Sequence, residues 1–156
     1  MYSQVYSIKG LTIQVLILVM KVYIKNQQRS IKLNQQKIVK LLRKALQLLR
    51  LQKAELSILF VNDRTMKMLN RTFRGVDKTT DVLSFPQLSA EEPKSVSAIV
   101  KTSELVNSQT SELLLGDIVI NLQRAIKQAI EHGITLNEEL KRLTIHGLLH
   151  LLGYDH

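Results

Sequence analysis

The chain has 156 residues, of which 45% are hydrophobic and 22% are charged, and it contains only two prolines. This composition is typical of one globular domain and excludes a disordered or collagen-like chain. Cysteine is absent, which excludes a disulfide scaffold, thiol catalysis and every cysteine-ligated metal site.

The net charge of +9 is distributed unevenly along the chain. Residues 1–54 contain eleven lysines and arginines and no acidic residue, whereas the rest of the chain contains eleven bases and thirteen acids. A one-sided basic segment favours contact with a polyanion, and we expect residues 20–54 to make that contact. The alternative is a lysine-rich helix face that is simply solvated.

We expect residues 1–19 to form an upstream extension outside the core of the domain. The apolar run at residues 11–20 resembles the centre of a signal peptide, but no small-residue cleavage site follows it. The run is also shorter than the roughly 20 residues that a membrane-spanning helix needs. We therefore expect no membrane contact, a cytoplasmic location, and a domain that begins with a strand at residues 20–24.

The spacing of apolar residues predicts a helix, a strand and a second helix in the first half of the domain. Asn34 is the expected N-cap of the first helix, which ends near Leu51. A strand follows at residues 55–61. Asp63 is the expected cap of a short second helix that ends near Leu69.

The second half of the domain is predicted to begin with a strand at residues 81–85. Residues 87–112 are rich in serine, threonine and glutamate, so we expect a long loop inserted in the domain. A strand at residues 116–120 leads into a helix that ends near Gly133, with Asn121 as its N-cap. One last helix follows, which brings the total to four strands and four helices. This series predicts an α/β or α+β domain around one sheet.

The last predicted helix, at about residues 137–152, carries the strongest functional signal in the chain. His146 and His150 are four residues apart, so they project side by side from one face of the helix. That spacing lets both imidazoles reach one metal ion at about 2.0–2.1 Å. Gly153 ends the helix, so His156 can return as a third ligand. The pattern predicts one metal ion bound by three histidines.

Two other residues, one of them a fourth histidine, refine this interpretation. His132 stands alone at the end of a predicted helix, and we interpret it as a structural histidine rather than a ligand. Gly147 occupies the position at which H-E-x-x-H zinc peptidases carry their general base, so a peptidase mechanism lacks that base. A glycine inside a helix costs about 1 kcal/mol relative to alanine. We therefore expect Gly147 to allow close approach of another segment or of substrate.

Residues 146–156 resemble the signature of the YbeY endoribonucleases, the bacterial rRNA maturation factors, with the sequence His-Gly-Leu-Leu-His-Leu-Leu-Gly-Tyr-Asp-His. Two further blocks are similar to this family, namely Phe73-Arg-Gly-Val-Asp-Lys-Thr-Thr-Asp-Val-Leu-Ser-Phe-Pro86 and Leu115-Gly-Asp-Ile-Val-Ile120. The resemblance covers residues 20–156, and its histidine motif is highly specific.

The resemblance implies a single-domain α+β fold with a four-stranded mixed sheet, and one zinc ion held by the three histidines of the last helix and its end. It also implies cleavage of single-stranded RNA during rRNA maturation and ribosome quality control, with the ribosomal subunit as a partner. The functional arginine of the family falls on Arg74, whose guanidinium suits phosphoryl charge. Asp81 and Ser84, on the adjoining strand, are candidate residues of the substrate cleft.

The sequence departs from the family pattern in three places. Residues 1–19 precede the usual start, and residues 87–112 are longer than the usual connection. Family members continue past the third histidine with an acidic helical tail, so the resemblance implies that the metallo-endoribonuclease domain at residues 20–156 is truncated at its C-terminus.

Two other functions remain open at this point. One is a zinc hydrolase that acts on peptide or amide bonds, against which Gly147 argues. The other is a ribosome-binding assembly factor with a structural metal, for which a carboxylate such as Asp155 would have to complete the ligand set. Three imidazoles also suit nickel, cobalt or copper.

Overall fold

A computed structural model describes residues 4–8, 11–15, 20–87 and 113–154. Of the loop predicted at residues 87–112, only residue 87 is among the described residues. His156 also lies outside them. The elements in chain order are strands β1 (Gln4–Ile8), β2 (Leu11–Val15) and β3 (Lys21–Asn26), helix α1 (Gln35–Leu48), strand β4 (Ala54–Val61), helix α2 (Asp63–Arg74), strands β5 (Val82–Pro86) and β6 (Leu113–Asn121), and helices α3 (Leu122–His132) and α4 (Leu136–Leu151).

Four strands form one mixed sheet in the order β3-β4-β6-β5. The pairs β3-β4 and β4-β6 are parallel, whereas β5 runs antiparallel to β6 and places Ser84 opposite Ile118. Strands β1 and β2 pair with each other in a separate antiparallel hairpin. The prediction of an α+β domain with a four-stranded mixed sheet and four helices is confirmed.

Helices cover both faces of the sheet, because the central strands β4 and β6 are apolar on both sides. The larger core lies under α1, α3 and α4, and its buried side chains include Leu42, Leu46, Leu56, Phe60, Ile118, Leu122 and Leu148. The smaller core lies on the opposite face, where Met66 of α2 packs with Val61, Leu83 and Val119. Side chains alternate along each strand, so α2 lies across the sheet from α1 and α4.

Strands β5 and β6 approach each other closely at a bulge in β6. Glu55 pairs with Leu114 and Leu56 pairs with Gly116, so Leu115 is the extra residue. Gly116 has a φ of +131°, and a Cβ there would overlap the carbonyl oxygen of Phe85. A residue with a side chain cannot take this position without moving β5 away.

Side-chain amides begin three of the helices. Asn34 accepts a hydrogen bond from the backbone of Lys37 at the start of α1, and Asn121 caps α3, both as predicted. The prediction of Asp63 as the cap of α2 is wrong, because Asn62 accepts from the backbone N–H of Thr65. Asp63 is instead the first helical residue, where a carboxylate interacts favourably with the helix dipole.

Helix α2 is also longer than predicted, and it ends at Arg74 rather than near Leu69. Asn70 is buried in the third turn of the helix, where its side-chain amide donates to the carbonyl oxygen of Lys78 at 2.7 Å. This hydrogen bond lets a polar residue occupy a buried position inside the helix. Gly75, with a φ of +70°, then provides the left-handed cap that ends it.

Helix α4 has well-defined ends. Thr135 and Glu138 form a reciprocal capping box at its start. At its end Gly153 has a φ of +82°. The N–H of Gly153 donates to the carbonyl oxygen of His150, and the N–H of Tyr154 donates to the carbonyl oxygen of Leu149. This is a Schellman motif, and the prediction that Gly153 ends the helix is confirmed.

Among the described residues, no helix combines the length and the apolar character that crossing a bilayer requires.

A buried carboxylate joins α3 to α4. The side chain of Glu139 is 0% exposed, it accepts a hydrogen bond from Arg142 Nε at 3.0 Å, and its Oε2 lies 3.6 Å from His132 Nδ1. The hydrogen bonds from Arg142 outweigh burial and hold the pKa of Glu139 below its ordinary value. The fold therefore stabilises the charged form of this carboxyl group.

We expect acid to remove this contribution to stability. A carboxyl group with a lowered pKa in the folded chain stabilises it above the unfolded pKa, and the effect is lost as the pH falls through the folded value. The free energy of unfolding, measured in urea, should therefore fall more steeply below about pH 4.3 for the wild type than for Glu139→Gln.

Glu131→Gln is the matched control for this measurement. It removes the same charge from an exposed pair in which Glu131 lies 3.9 Å from Lys127, and such surface pairs contribute little. Its pH dependence should follow that of the wild type. Identical pH slopes for the wild type and Glu139→Gln would contradict the assignment.

Candidate active site

The imidazoles of His146 and His150 meet on the C-terminal half of α4. Their Nε2 atoms are 3.0 Å apart, and the ring centroids are 4.4 Å apart with the planes at 89°. Both residues are half-buried. The predicted side-by-side projection at a spacing of four residues is therefore present in the structure.

This geometry fits the binding of one metal ion between the two rings. Two nitrogens that each bind a tetrahedral zinc at about 2.0–2.1 Å are about 3.3 Å apart, close to the separation of the His146 and His150 nitrogens. Within the described ranges no cluster of three or more histidine or acidic side chains converges. His156, the expected third ligand, lies outside those ranges, so the pair is the part of the site that the structure describes.

Gly147 brings α4 into direct contact with the sheet. A Cβ at this position would lie 2.6 Å from Cγ2 of Ile118 on β6, well inside van der Waals contact. The predicted close approach of another segment is confirmed. The base of an H-E-x-x-H peptidase therefore has no room at position 147, since any side chain would run into the buried Ile118.

A chain of hydrogen bonds connects Arg74 to the histidine helix. The Ser84 hydroxyl, on a residue only 7% exposed, donates to the carbonyl oxygen of Gly147 at 3.1 Å. Arg74 Nη2 in turn donates to the carbonyl oxygen of Ser84 at 2.9 Å. Arg74 belongs to α2 on one face of the sheet and Gly147 to α4 on the other, and both bond to Ser84 of β5, the outer strand of the described sheet. Ser84 thus connects Arg74 to the helix that carries His146 and His150.

Asp81 lies at the start of β5, three residues before Ser84. Its carboxylate accepts hydrogen bonds from Thr80 and the backbone of Val82, and from Gln128 Nε2 at 3.0 Å. Burial raises the pKa of Asp81, but these hydrogen bonds outweigh it, so the pKa lies below its ordinary value. All these partners belong to the β5 start and α3, and none of them is a residue of the histidine pair.

Asn121 is a residue whose full role sequence reasoning missed. It is 0% exposed, and its Nδ2 donates to Asp63 Oδ1 at 2.6 Å and to the Thr80 carbonyl oxygen at 3.1 Å. As a helix cap, an asparagine uses only its side-chain oxygen. Its two amide N–H groups also need acceptors when the residue is buried, and this need is the signal for further partners. Asn121 thereby fixes the segment that leads into β5.

The remaining predicted residues lie away from the histidine pair. His132 is at the end of α3, half-exposed, beside Glu139. The basic residues of α1 face outward, and a groove of about 740 Å³ runs along them between Ile24 and Gln47. α1 covers the larger core and contacts α4, on the opposite side of the sheet from Arg74.

Comparison with known proteins gives consistent matches over most of the chain. The family model described as Endoribonuclease YbeY matches residues 23–156. An Endoribonuclease YbeY of Clostridium botulinum is 40% identical over 141 residues, which cover 86% of this chain and 85% of that protein. One of Desulforamulus reducens is 46% identical over 103 residues, which cover 66% of this chain and 60% of that protein.

A solved structure is similar as well. The solution structure of TM1509 from Thermotoga maritima has a TM-score of 0.51 and 26% sequence identity to this chain. The match covers 86% of this chain and 74% of that one.

We expect Gly147→Ala to destabilise the protein by about 1–3 kcal/mol, because the new methyl group overlaps Ile118 in a closely packed core. Ile118→Ala alone should cost roughly 2–5 kcal/mol. In the double variant the overlap is relieved, so its cost should be smaller than the sum of the single costs by about 1 kcal/mol or more. Urea unfolding of the four proteins measures this coupling, and strictly additive costs would contradict the contact.

Proposed function

The chain belongs to the YbeY endoribonuclease family, and on that premise we propose that it is a zinc-dependent endoribonuclease specific for single-stranded RNA. Its proposed role is in rRNA maturation and ribosome quality control, in the cytoplasm and in contact with a ribosomal subunit. The observation that carries the proposal is the pair of histidine nitrogens 3.0 Å apart on α4, joined through Ser84 to Arg74.

We assign one zinc ion to His146, His150 and His156. When bound, zinc would supply Lewis acidity toward the scissile phosphate. The chain supplies the imidazole nitrogens from a helix that is fixed at both ends and pressed against β6. Protons compete for the same nitrogens, so metal binding should weaken as the pH falls.

Arg74 is the residue that we assign to the phosphoryl oxygens. Its guanidinium is exposed and anchored by one hydrogen bond to the Ser84 carbonyl oxygen. The rest of the planar fork can bind two oxygens of a phosphate at once. The anchor holds the positive charge in place before substrate arrives, which is what makes such a group effective in a transition state.

In this proposal Ser84 and Asp81 are positioning residues of β5 and its beginning. Ser84 is buried and its hydroxyl is bonded to Gly147, so it positions Arg74 relative to His146. Asp81 fixes the beginning of β5 by accepting hydrogen bonds from Gln128 and from the backbone N–H of Val82.

The basic residues of segment 20–54 provide a second proposed contact. Those on α1 lie on the side of the sheet away from Arg74, so we assign them to a distant part of a long RNA or to the ribosomal subunit. Such contacts strengthen binding by counterion release without taking part in the chemistry.

We expect His146→Ala and His150→Ala each to remove stoichiometric zinc and RNA cleavage together, because each takes away one of three ligands. His132→Ala is the control, since this histidine lies beside Glu139 rather than in the pair, and it should retain both. Zinc content and cleavage of a labelled single strand are the measurements. Full zinc retention in the double variant His146→Ala/His150→Ala would eliminate the proposed site.

The same assay separates the proposal from its alternatives. Cleavage of a peptide but not of RNA by the zinc-loaded protein would favour a peptide or amide hydrolase. Stoichiometric zinc and ribosome binding without any cleavage would favour an assembly factor with a structural metal.

Arg74→Ala should lower kcat for RNA cleavage by about 10²–10³-fold while leaving zinc content unchanged, because one preorganised positive group is lost from the transition state. Lys127→Ala, which removes one exposed positive charge from α3, is the control and should leave kcat unchanged. An Arg74→Ala variant with the kcat of the wild type would refute the role that we assign to this arginine.

A further inference from the structure

Helix α2 carries a stripe of four bases, Arg64, Lys67, Arg71 and Arg74, which we call the basic stripe. Their spacing of three, four and three residues places them on one face of the helix. All four are exposed. The first and last members are ten residues apart, or about 15 Å along the helix axis, and the last member is the arginine assigned to the active site.

A groove continues the basic stripe at its other end. It has a volume of about 690 Å³ and is lined by Asp63, Arg64, Lys67, Lys78, Thr79 and Arg124. Within the described part of the chain the guanidinium groups of Arg64 and Arg124 have no acidic partner. Four of the six lining residues are thus basic.

Two carboxylates lie near these bases. Asp63 lines the groove, but its Oδ1 already accepts hydrogen bonds from Asn121 and Thr79. Asp77 lies 3.5 Å from Lys67 in a pair whose two side chains are more than half exposed, and such a pair contributes little. The stripe and the groove together therefore retain a positive surplus.

An aromatic side chain stands where the basic stripe reaches β5. Phe73 is 62% exposed, and its ring lies 5.2 Å from that of Phe85 at 70°. Its neighbour Arg74 bonds to Ser84, the residue before Phe85, so both side chains reach the same stretch of β5. A positive track combined with an exposed aromatic ring is how proteins bind single strands, through phosphates and base stacking together.

We propose that the basic stripe binds the phosphate backbone of a single RNA strand and leads it to Arg74, while Phe73 stacks on a base next to the scissile bond. This inference rests on the proposed endoribonuclease function and names the path by which substrate reaches the site. The path runs along the face of the sheet opposite α1, so it is distinct from the contact assigned to the bases of α1. A duplex keeps its bases paired and stacked, so it offers none to Phe73.

The test compares two sets of substitutions that remove the same charge. Arg64→Gln/Lys67→Gln/Arg71→Gln neutralises the stripe and leaves Arg74 in place, whereas Lys37→Gln/Lys40→Gln/Lys44→Gln neutralises exposed bases of α1. Binding of a labelled single-stranded RNA of about twelve nucleotides is measured by fluorescence anisotropy with metal chelated, so that the strand stays intact. The salt concentration is varied between about 50 and 200 mM, and circular dichroism confirms that each variant is folded.

The stripe variant should bind at least about tenfold more weakly at low salt, and its dependence of log K on log salt should be shallower by about 2. The α1 variant should change the affinity for this short strand less than about twofold, because its bases lie across the sheet. Phe73→Leu should weaken binding about fivefold or more with an unchanged salt slope, since stacking releases no counterions.

Three results would overturn the proposal: equal affinities for the wild type and the stripe variant, a larger loss in the α1 variant, or tighter binding of duplex than of single strand with no effect of Phe73→Leu. Because binding is measured without cleavage, these results are independent of the proposed activity. A protein that binds along the stripe but never cleaves RNA when loaded with zinc would refute the activity and retain the path.

Discussion

The contact between Gly147 and Ile118 is the constraint on which the candidate site depends. With no side chain at position 147, α4 lies directly on β6, and the Gly147 carbonyl oxygen comes within reach of the Ser84 hydroxyl on β5. His146 directly precedes Gly147, so this contact fixes the segment of α4 that carries the histidine pair. Arg74 reaches β5 from the opposite face of the sheet. The candidate site therefore lies at the outer strand of the described sheet, where helices on opposite faces of the sheet bond to the same residue.

Local geometry explains which features the sequence predicts correctly. The pairing of His146 with His150, the caps at Asn34 and Asn121 and the stop at Gly153 all follow from spacing within a few residues. The link from Ser84 to Gly147 joins residues 63 positions apart, and no periodicity encodes it. The sequence alone does not distinguish Asp63 from Asn62 as the cap of α2, because either side chain can accept the hydrogen bond. Only the extended backbone at Asn62 identifies it as the cap.

Charge is the property for which composition and structure differ most. Counting bases along the chain points to the first 54 residues, since that segment has no acid to offset them. The fold places much of that charge on α1 and places a shorter basic series on α2, across the sheet and continuous with Arg74. The thirteen acids of residues 55–156 conceal this series in a simple count. The position of a charge relative to the sheet, rather than the local density of charge, determines which bases can serve the site.

Strand β5 is the outer strand of the described sheet, with β6 on one side only. The outward main-chain groups of such a strand can pair with a strand of another molecule, which is a common route to aggregation. The Arg74 guanidinium occupies one of those carbonyl groups, at Ser84, and Pro86 lacks the N–H needed to extend a ladder. The arginine that we assign to phosphoryl oxygens thus also occupies a main-chain group through which this strand could pair with a neighbouring chain.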